Sequence, residues 1–260
     1  MSQQYNTLLF EVDDHRATVT VNRPDKLNAL NSEVIDELEA AFLEVNENDD
    51  IHGVILTGAG DKAFVAGADI KELSTLDETG GQKVSARGQA VFQSIEDTRK
   101  PVIAVVDGYA LGGGAELAMA CHLRVAGPKA MFGLPEVGLG LIPGYGGTQR
   151  LTRIVGHSRA LEMILTGKPV KADRARDMGL VNRLTDEGES MDEARKLLGT
   201  ILGNGPLAVR SAIKAVYEGA EADNGYAVEA ETFGYLCSTE DFKEGTGAFL
   251  EKRKPEFKGN

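Results

Sequence analysis

The spacing of apolar residues switches early in the chain from a period of two to a helical period and back. Leu8-Leu9-Phe10-Glu11-Val12 and Ala17-Thr18-Val19-Thr20-Val21 flank Asp13-Asp14-His15, which predicts a β-hairpin. Ala17, Val19 and Val21 alternate with Thr18 and Thr20, giving the second strand one buried face. Arg23-Pro24-Asp25-Lys26 ends it, since proline lacks a ladder amide. From a cap at Asn31 or Ser32, the apolar residues Val34, Ile35, Leu38, Ala41, Phe42 and Val45 keep helical spacing. Gly53–Thr57 is the next strand, closed by Gly58-Ala59-Gly60.

The alternation then repeats. A loop over 62–73 and a helix over about 81–98 lead to Pro101–Val106, an unbroken apolar strand of the kind covered on both faces. Gly112-Gly113-Gly114 introduces a helix over 115–121, followed by strand Leu123–Ala126 and a short strand Met131–Gly133. From Gly146 onward the spacing predicts helices throughout: 148–155, 158–165, 172–178, 191–202, 206–218, 226–236 and 241–251. Strands alternating with helices and then helices alone predict an α/β core with a helical C-terminal part. No solenoid period or low-complexity tract interrupts this.

A length of 260 residues and a mass of 27.8 kDa suit one domain with a small appended part, long enough to bury a large core. The 42% hydrophobic and 26% charged content is globular. Lys+Arg 28 against Asp+Glu 40 gives a net charge of −12, which argues against nucleic-acid or anionic-membrane partners. A polyanionic ligand would have to meet a local basic patch. Cys121 and Cys237 are too few for a disulfide framework. Met1-Ser2-Gln3-Gln4-Tyr5 carries no leader-like segment, and no apolar run reaches the roughly 20 residues that span a bilayer. A cytoplasmic setting is expected.

His15, His52, His122 and His157 are scattered without ligand spacing, so no metal is expected. Gly-x-Ser-x-Gly and the P-loop pattern are absent. Gly138-Leu139-Gly140 lacks the third glycine of a dinucleotide fingerprint in register. Three segments carry positive signals. In Gly108–Leu117, an apolar strand runs into three glycines and a helix N-terminus, whose free amides suit a phosphate or an oxyanion. Glu116 lies in that first turn. The helix dipole alone would favour a glutamate there, but three consecutive glycines call for backbone that touches a ligand. Glu136 follows Pro135 at a strand exit among apolar neighbours, which favours a desolvated carboxyl of raised pKa. Lys62–Glu72 is a small-residue loop after a strand, flanked by lysines, where α/β sheets bind ligands.

These segments together resemble the crotonase superfamily, enoyl-CoA hydratase and its isomerase relatives. The likeness runs from Arg23-Pro24 and Leu27-Asn28-Ala29-Leu30 through Ala66–Lys71, Gly112–Glu116, Pro135-Glu136 and Gly144–Arg150 to Ala248–Pro255. It implies a crotonase-like fold of repeated ββα units forming a core sheet system. Residues 1–195 would hold the α/β core, coenzyme A and the active site, and 196–260 a helical region for trimerisation and active-site cover. It implies an oxyanion hole at the amides of Ala68 and Gly113, worth a few kcal/mol per donor. It also implies two catalytic glutamates holding one water, Glu116 as base and Glu136 as acid. Implied contacts to coenzyme A and substrate fall on Lys26, Leu27, Ala29, Lys62, Ala66, Asp69, Ile70, Lys71, Phe249 and Lys252. Coenzyme A is part of the acyl-CoA substrate, with no separate cofactor, and the assembly implied is a homotrimer or a dimer of trimers. Retention of both glutamates favours hydration over double-bond isomerisation. Hydration of a branched or dicarboxylic enoyl-CoA is the neighbouring alternative, and an RNA-binding relative is opposed by the net charge. Two positions depart from the family pattern. Leu134 stands where many hydratases carry glutamine, and Tyr145 replaces a small residue between glycines, which narrows the acyl pocket toward short chains.

Overall fold

The computed structural model describes residues 5–221 and 225–260, except the side chains of residues 220 and 221. Most of the segment bearing on a leader, Met1–Gln4, lies outside them. Two compact units divide the chain: residues up to Thr98 with Val102–Arg195, and Arg99–Pro101 with Lys196–Asn260.

The first unit opens with the hairpin β1 (Leu8–Asp13) and β2 (Arg16–Val21), antiparallel in the register Leu8 to Val21. Helix α1 (Ser32–Glu47) starts at Asn31, whose side chain accepts from the Val34 amide at 3.1 Å, and buries the six apolar residues that set its period. Three similar passes follow. The first is β3 (Gly53–Gly58), β4 (Ala63–Val65), α2 (Ile70–Leu73) and α3 (Glu78–Glu96). The second is β5 (Val102–Val106), β6 (Tyr109–Leu111) and α4 (Gly113–Ala120), and the third is β7 (Leu123–Ala126), β8 (Met131–Gly133) and α5 (Gly147–Val155). The first strand of each pass joins a six-stranded sheet of order β1-β2-β3-β5-β7-β10, parallel beyond β1. The second strand of each joins a four-stranded sheet, β4-β6-β8-β9. This is the ββα repeat that the resemblance implies.

Helix α6 (His157–Thr166), β9 (Val170–Lys171), α7 (Ala172–Asp177) and β10 (Arg183–Leu184) follow, and α8 (Ser190–Leu202) contains the division between the units. The core joins β3 and β5, buried along their apolar runs, to Phe42 of α1 and Phe92 of α3. Each such side chain contributes about 1.5–3 kcal/mol by leaving water.

Three expectations change. The loop over 62–73 contains β4 and α2. Helix α3 begins earlier, at an Asp77 cap accepting from the Gly80 amide at 2.7 Å, because capping and packing outweigh the Gly80-Gly81 pair. The stretch after Gly146 includes β9 and β10, two residues each, which form only because β8 and β7 offer edges to pair with. In the second unit α9 (Pro206–Glu221) packs on α10 (Gly225–Leu236). The Asp241 carboxylate of α11 (Glu240–Glu251) accepts from the amides of Lys258 and Gly259 at 2.7 and 2.9 Å, tying down the C-terminal segment.

Candidate active site

Helix α4 is buried from end to end, and Glu116 is its only polar side chain. The helix fits there because Gly114 lies against β4: a Cβ would sit 1.9 Å from the Val65 carbonyl oxygen. Glu116 is 2% exposed, and its Oε1 accepts two backbone hydrogen bonds, from Tyr145 at 2.8 Å and Gly147 at 2.7 Å. Burial pushes its pKa up to about 7, assisted by the charge of Glu136 and opposed by the two amides and Arg150. Glu136 opens a 3-10 turn, Glu136–Leu139, just past Pro135. Its carboxyl is also raised, by burial, and its buried Oε2 has no partner among the described residues. Glu116 therefore exchanges its proton close to neutrality, and burial shifts Glu136 in the same direction.

They line one cavity of about 570 Å³, together with Ala68, Gly112 and Gly113. Leu30 pairs with Ala68 as in a parallel ladder: its amide donates to the Gly67 carbonyl at 2.9 Å, and its carbonyl accepts from Asp69 at 2.7 Å. Ladder geometry turns the Ala68 N–H to the opposite side. Gly113 is the first residue of α4, so its N–H has no intrahelical acceptor. Two amides with no backbone acceptor among the described residues thus line the same space as two carboxyls, and such amides can stabilise an oxyanion.

The other predicted contacts divide. Ala66 and Ile70 line the cavity. Leu27 and Ala29 belong to the segment that braces the 66–69 loop: the Leu27 carbonyl accepts from Ala66 at 3.0 Å, and the Ala29 carbonyl accepts from Arg23. Asp69 uses both oxygens structurally, one on the Lys71 amide at 3.2 Å and one on Arg23 at 3.2 Å. Lys26, Lys62 and Lys71 are exposed on the first unit. Phe249, 83% exposed, and Lys252 lie at the end of α11 in the second.

Sequence reading missed the α2–α3 wall, where Leu73, Leu76, Val84 and Ser85 line the cavity. Their helical spacing is the available signal, hidden by Gly80 and Gly81. Tyr145 is 8% exposed, edge-on to Phe92 at 5.5 Å, and lies against Gly88, where a Cβ would come within 2.3 Å of the ring. Leu134 is fully buried beside Pro135.

A family model described as enoyl-CoA hydratase/isomerase matches residues 13–260. The chain is 45% identical over 255 residues to the short-chain-enoyl-CoA hydratase of Clostridium acetobutylicum, covering 97% of this chain and 98% of that protein. It is likewise 45% identical to the crotonyl-CoA hydratase of Syntrophomonas wolfei, with the same coverage. The crystal structure of an enoyl-CoA hydratase from Bacillus anthracis superposes with a TM-score of 0.94 at 37% identity, covering 98% of this chain and all of that one. Sequence and fold agree over nearly the whole length, and the chain belongs to the enoyl-CoA hydratase/isomerase family of the crotonase superfamily.

Proposed function

We propose that this enzyme hydrates short 2-enoyl-CoA thioesters to 3-hydroxyacyl-CoA. The observation that carries the reading is a buried glutamate in a two-amide cradle, sharing one cavity with a second desolvated glutamate and two free amides. The amides of Ala68 and Gly113 receive the thioester oxygen and stabilise the enolate as charge moves onto it. Glu116, ionised, takes a proton from water as the water oxygen bonds to C3. Glu136, protonated, delivers a proton to C2, and the proton held by Glu116 then passes back to Glu136 through solvent, so one water is consumed, both glutamates are restored and no electrons leave the substrate. The chemistry needs no cofactor beyond the coenzyme A of the substrate.

Among the described residues the cavity is lined by Asp77, Glu78, Glu116 and Glu136 and by no lysine or arginine. A distal carboxylate on the acyl chain would meet repulsion there, which favours a neutral acyl group over a dicarboxylic one. Tyr145 closes part of the wall and favours short chains. Exposed Lys26, Lys62 and Lys71 of the first unit and Lys252 of the second are the cations proposed for coenzyme A phosphates.

A homotrimer or dimer of trimers, with the second unit supplying contacts, is supported by its exposed apolar residues: Tyr226, Phe233, Phe249 and Leu250 are 69–91% exposed in the single chain. Sedimentation of the purified protein tests this. Among the described residues no helix is long and apolar enough to cross a membrane, and low cysteine content supports a cytoplasmic setting. The deciding experiment is loss of conjugated-thioester absorbance with crotonyl-CoA. Rapid loss in wild type and a drop of about 10²-fold or more in Glu136→Gln supports hydration through Glu136; no loss in wild type refutes it.

A further inference from the structure

The turn that holds Glu116 is itself held. The peptide that donates the Tyr145 N–H to Glu116 has the Gly144 carbonyl at its other end. That oxygen accepts from Ser85 Oγ at 2.6 Å and Gln89 Nε2 at 3.0 Å, both on α3. Donation to a peptide carbonyl polarises the N–H of the same peptide and strengthens its bond to the carboxylate. On the next peptide, the Tyr145 carbonyl accepts from Arg150 Nη1 at 3.1 Å. Gly146, between the two donor residues Tyr145 and Gly147, takes φ +102°, and a Cβ there would lie 2.4 Å from Arg150 Nη1.

Arg150 is buried, and the rest of its guanidinium is engaged as well. Its Nε bonds Glu96 Oε2, and its Nη2 donates to Gln93 Oε1 at 3.0 Å. Glu96, also buried, meets Arg153 at 3.6 Å through its other oxygen. Such a pair is a poor device for stability alone, because apolar residues of similar shape do as well or better. A planar guanidinium is the right device for fixing several acceptors in one geometry.

We propose that Arg150 and Glu96 are positioning residues for Glu116: the buried pair fixes the Tyr145–Gly147 turn so that both amides converge on Glu116 Oε1, leaving Oε2 to face the substrate. The inference rests on the reading of Glu116 as the base. Among the described residues, the charged and titratable groups around α4 and this turn include Arg150 and Arg153 from α5, Glu96 from α3, Glu72 from α2, Arg124 from β7, Glu136 from the 3-10 turn, and Cys121 and His122 after α4, with the Tyr145 phenol beside them. Of these, Arg150 draws Glu116 toward the ionised form and Glu136 opposes it.

The test uses Arg150→Lys and Glu96→Gln in the full chain. Lysine keeps the charge, but its donors sit on one nitrogen and cannot span acceptors met by Nε, Nη1 and Nη2 of the arginine. We expect kcat on crotonyl-CoA to fall about tenfold at pH 7 with KM within about twofold, and the acid limb of kcat/KM to move up by about one pH unit. The double variant Glu96→Leu/Arg150→Met, which strands no buried charge, should show the same shift and reports if a single variant does not fold. A second arm needs no turnover. The pH-dependent stability difference on adding Glu116→Gln should move upward by the same interval in the Arg150→Lys background. Unchanged pH dependence in both arms, with only a lower melting temperature, overturns the proposal. Hydration at the wild-type rate by Glu116→Gln would instead refute the base assignment, while the stability arm still decides the positioning.

Discussion

Replacing Glu116 by glutamine should nearly abolish turnover and, above neutral pH, make the protein more stable. The folded carboxyl titrates near 7 against 4.5 for an ordinary one, so between these values the folded state keeps a proton that the unfolded chain has released. Its raised pKa therefore contributes stability that is fully present below about pH 4.5 and lost as pH rises through about 7. The interval, 7 − 4.5 = 2.5 units, at about 1.36 kcal/mol per unit corresponds to about 3 kcal/mol. The amide side chain has the same shape, and its oxygen still accepts from the amides of Tyr145 and Gly147, so the fold has no reason to change. Urea unfolding of both proteins across about pH 4.5–8.5, at fixed protein concentration, measures the difference. It should tilt in favour of the variant by about 3 kcal/mol between about pH 4.5 and 7 and then level off. A difference that is flat in pH would refute the claim that burial holds this carboxyl protonated.

The pH profile of kcat/KM should rise through about 7 as Glu116 ionises; a pH-independent rate from about 5 to 9 contradicts the base assignment. Tyr145→Ala removes part of the pocket wall and its edge contact with Phe92. It should raise kcat/KM for an eight-carbon relative to a four-carbon enoyl-CoA about tenfold while costing about 3 kcal/mol of stability; an unchanged chain-length ratio measured by ultraviolet assay removes Tyr145 from selectivity. Gly114→Ala drives a methyl into the Val65 carbonyl and should destabilise by about 2–3 kcal/mol or prevent folding, read as the urea midpoint; a wild-type midpoint would mean that α4 is free to shift away from β4.

Elements whose signal is local are legible in the amino-acid sequence alone. The β1–β2 hairpin announces itself by alternation around Asp13-Asp14-His15, α1 by its stripe and Asn31 cap, and β5 by an apolar run that only a doubly covered strand tolerates. Glu116 and Glu136 stand out through the glycines and the proline beside them, and the family likeness joins motifs that no local rule connects. What tertiary structure decides is whatever depends on residues far apart in sequence. Strands β9 and β10 exist because edges are there to receive them. Asp69, which reads as a ligand-loop acid, is committed to Arg23, far back in the chain. The Tyr145 and Gly147 amides meet a carboxylate 29 and 31 residues away, and the pair that steadies them, Glu96 with Arg150, spans 54 residues. The reason is physical: propensity and periodicity are set by neighbours within a turn or two, whereas desolvation, and with it the raised pKa of Glu116, is set by what the fold packs around a residue.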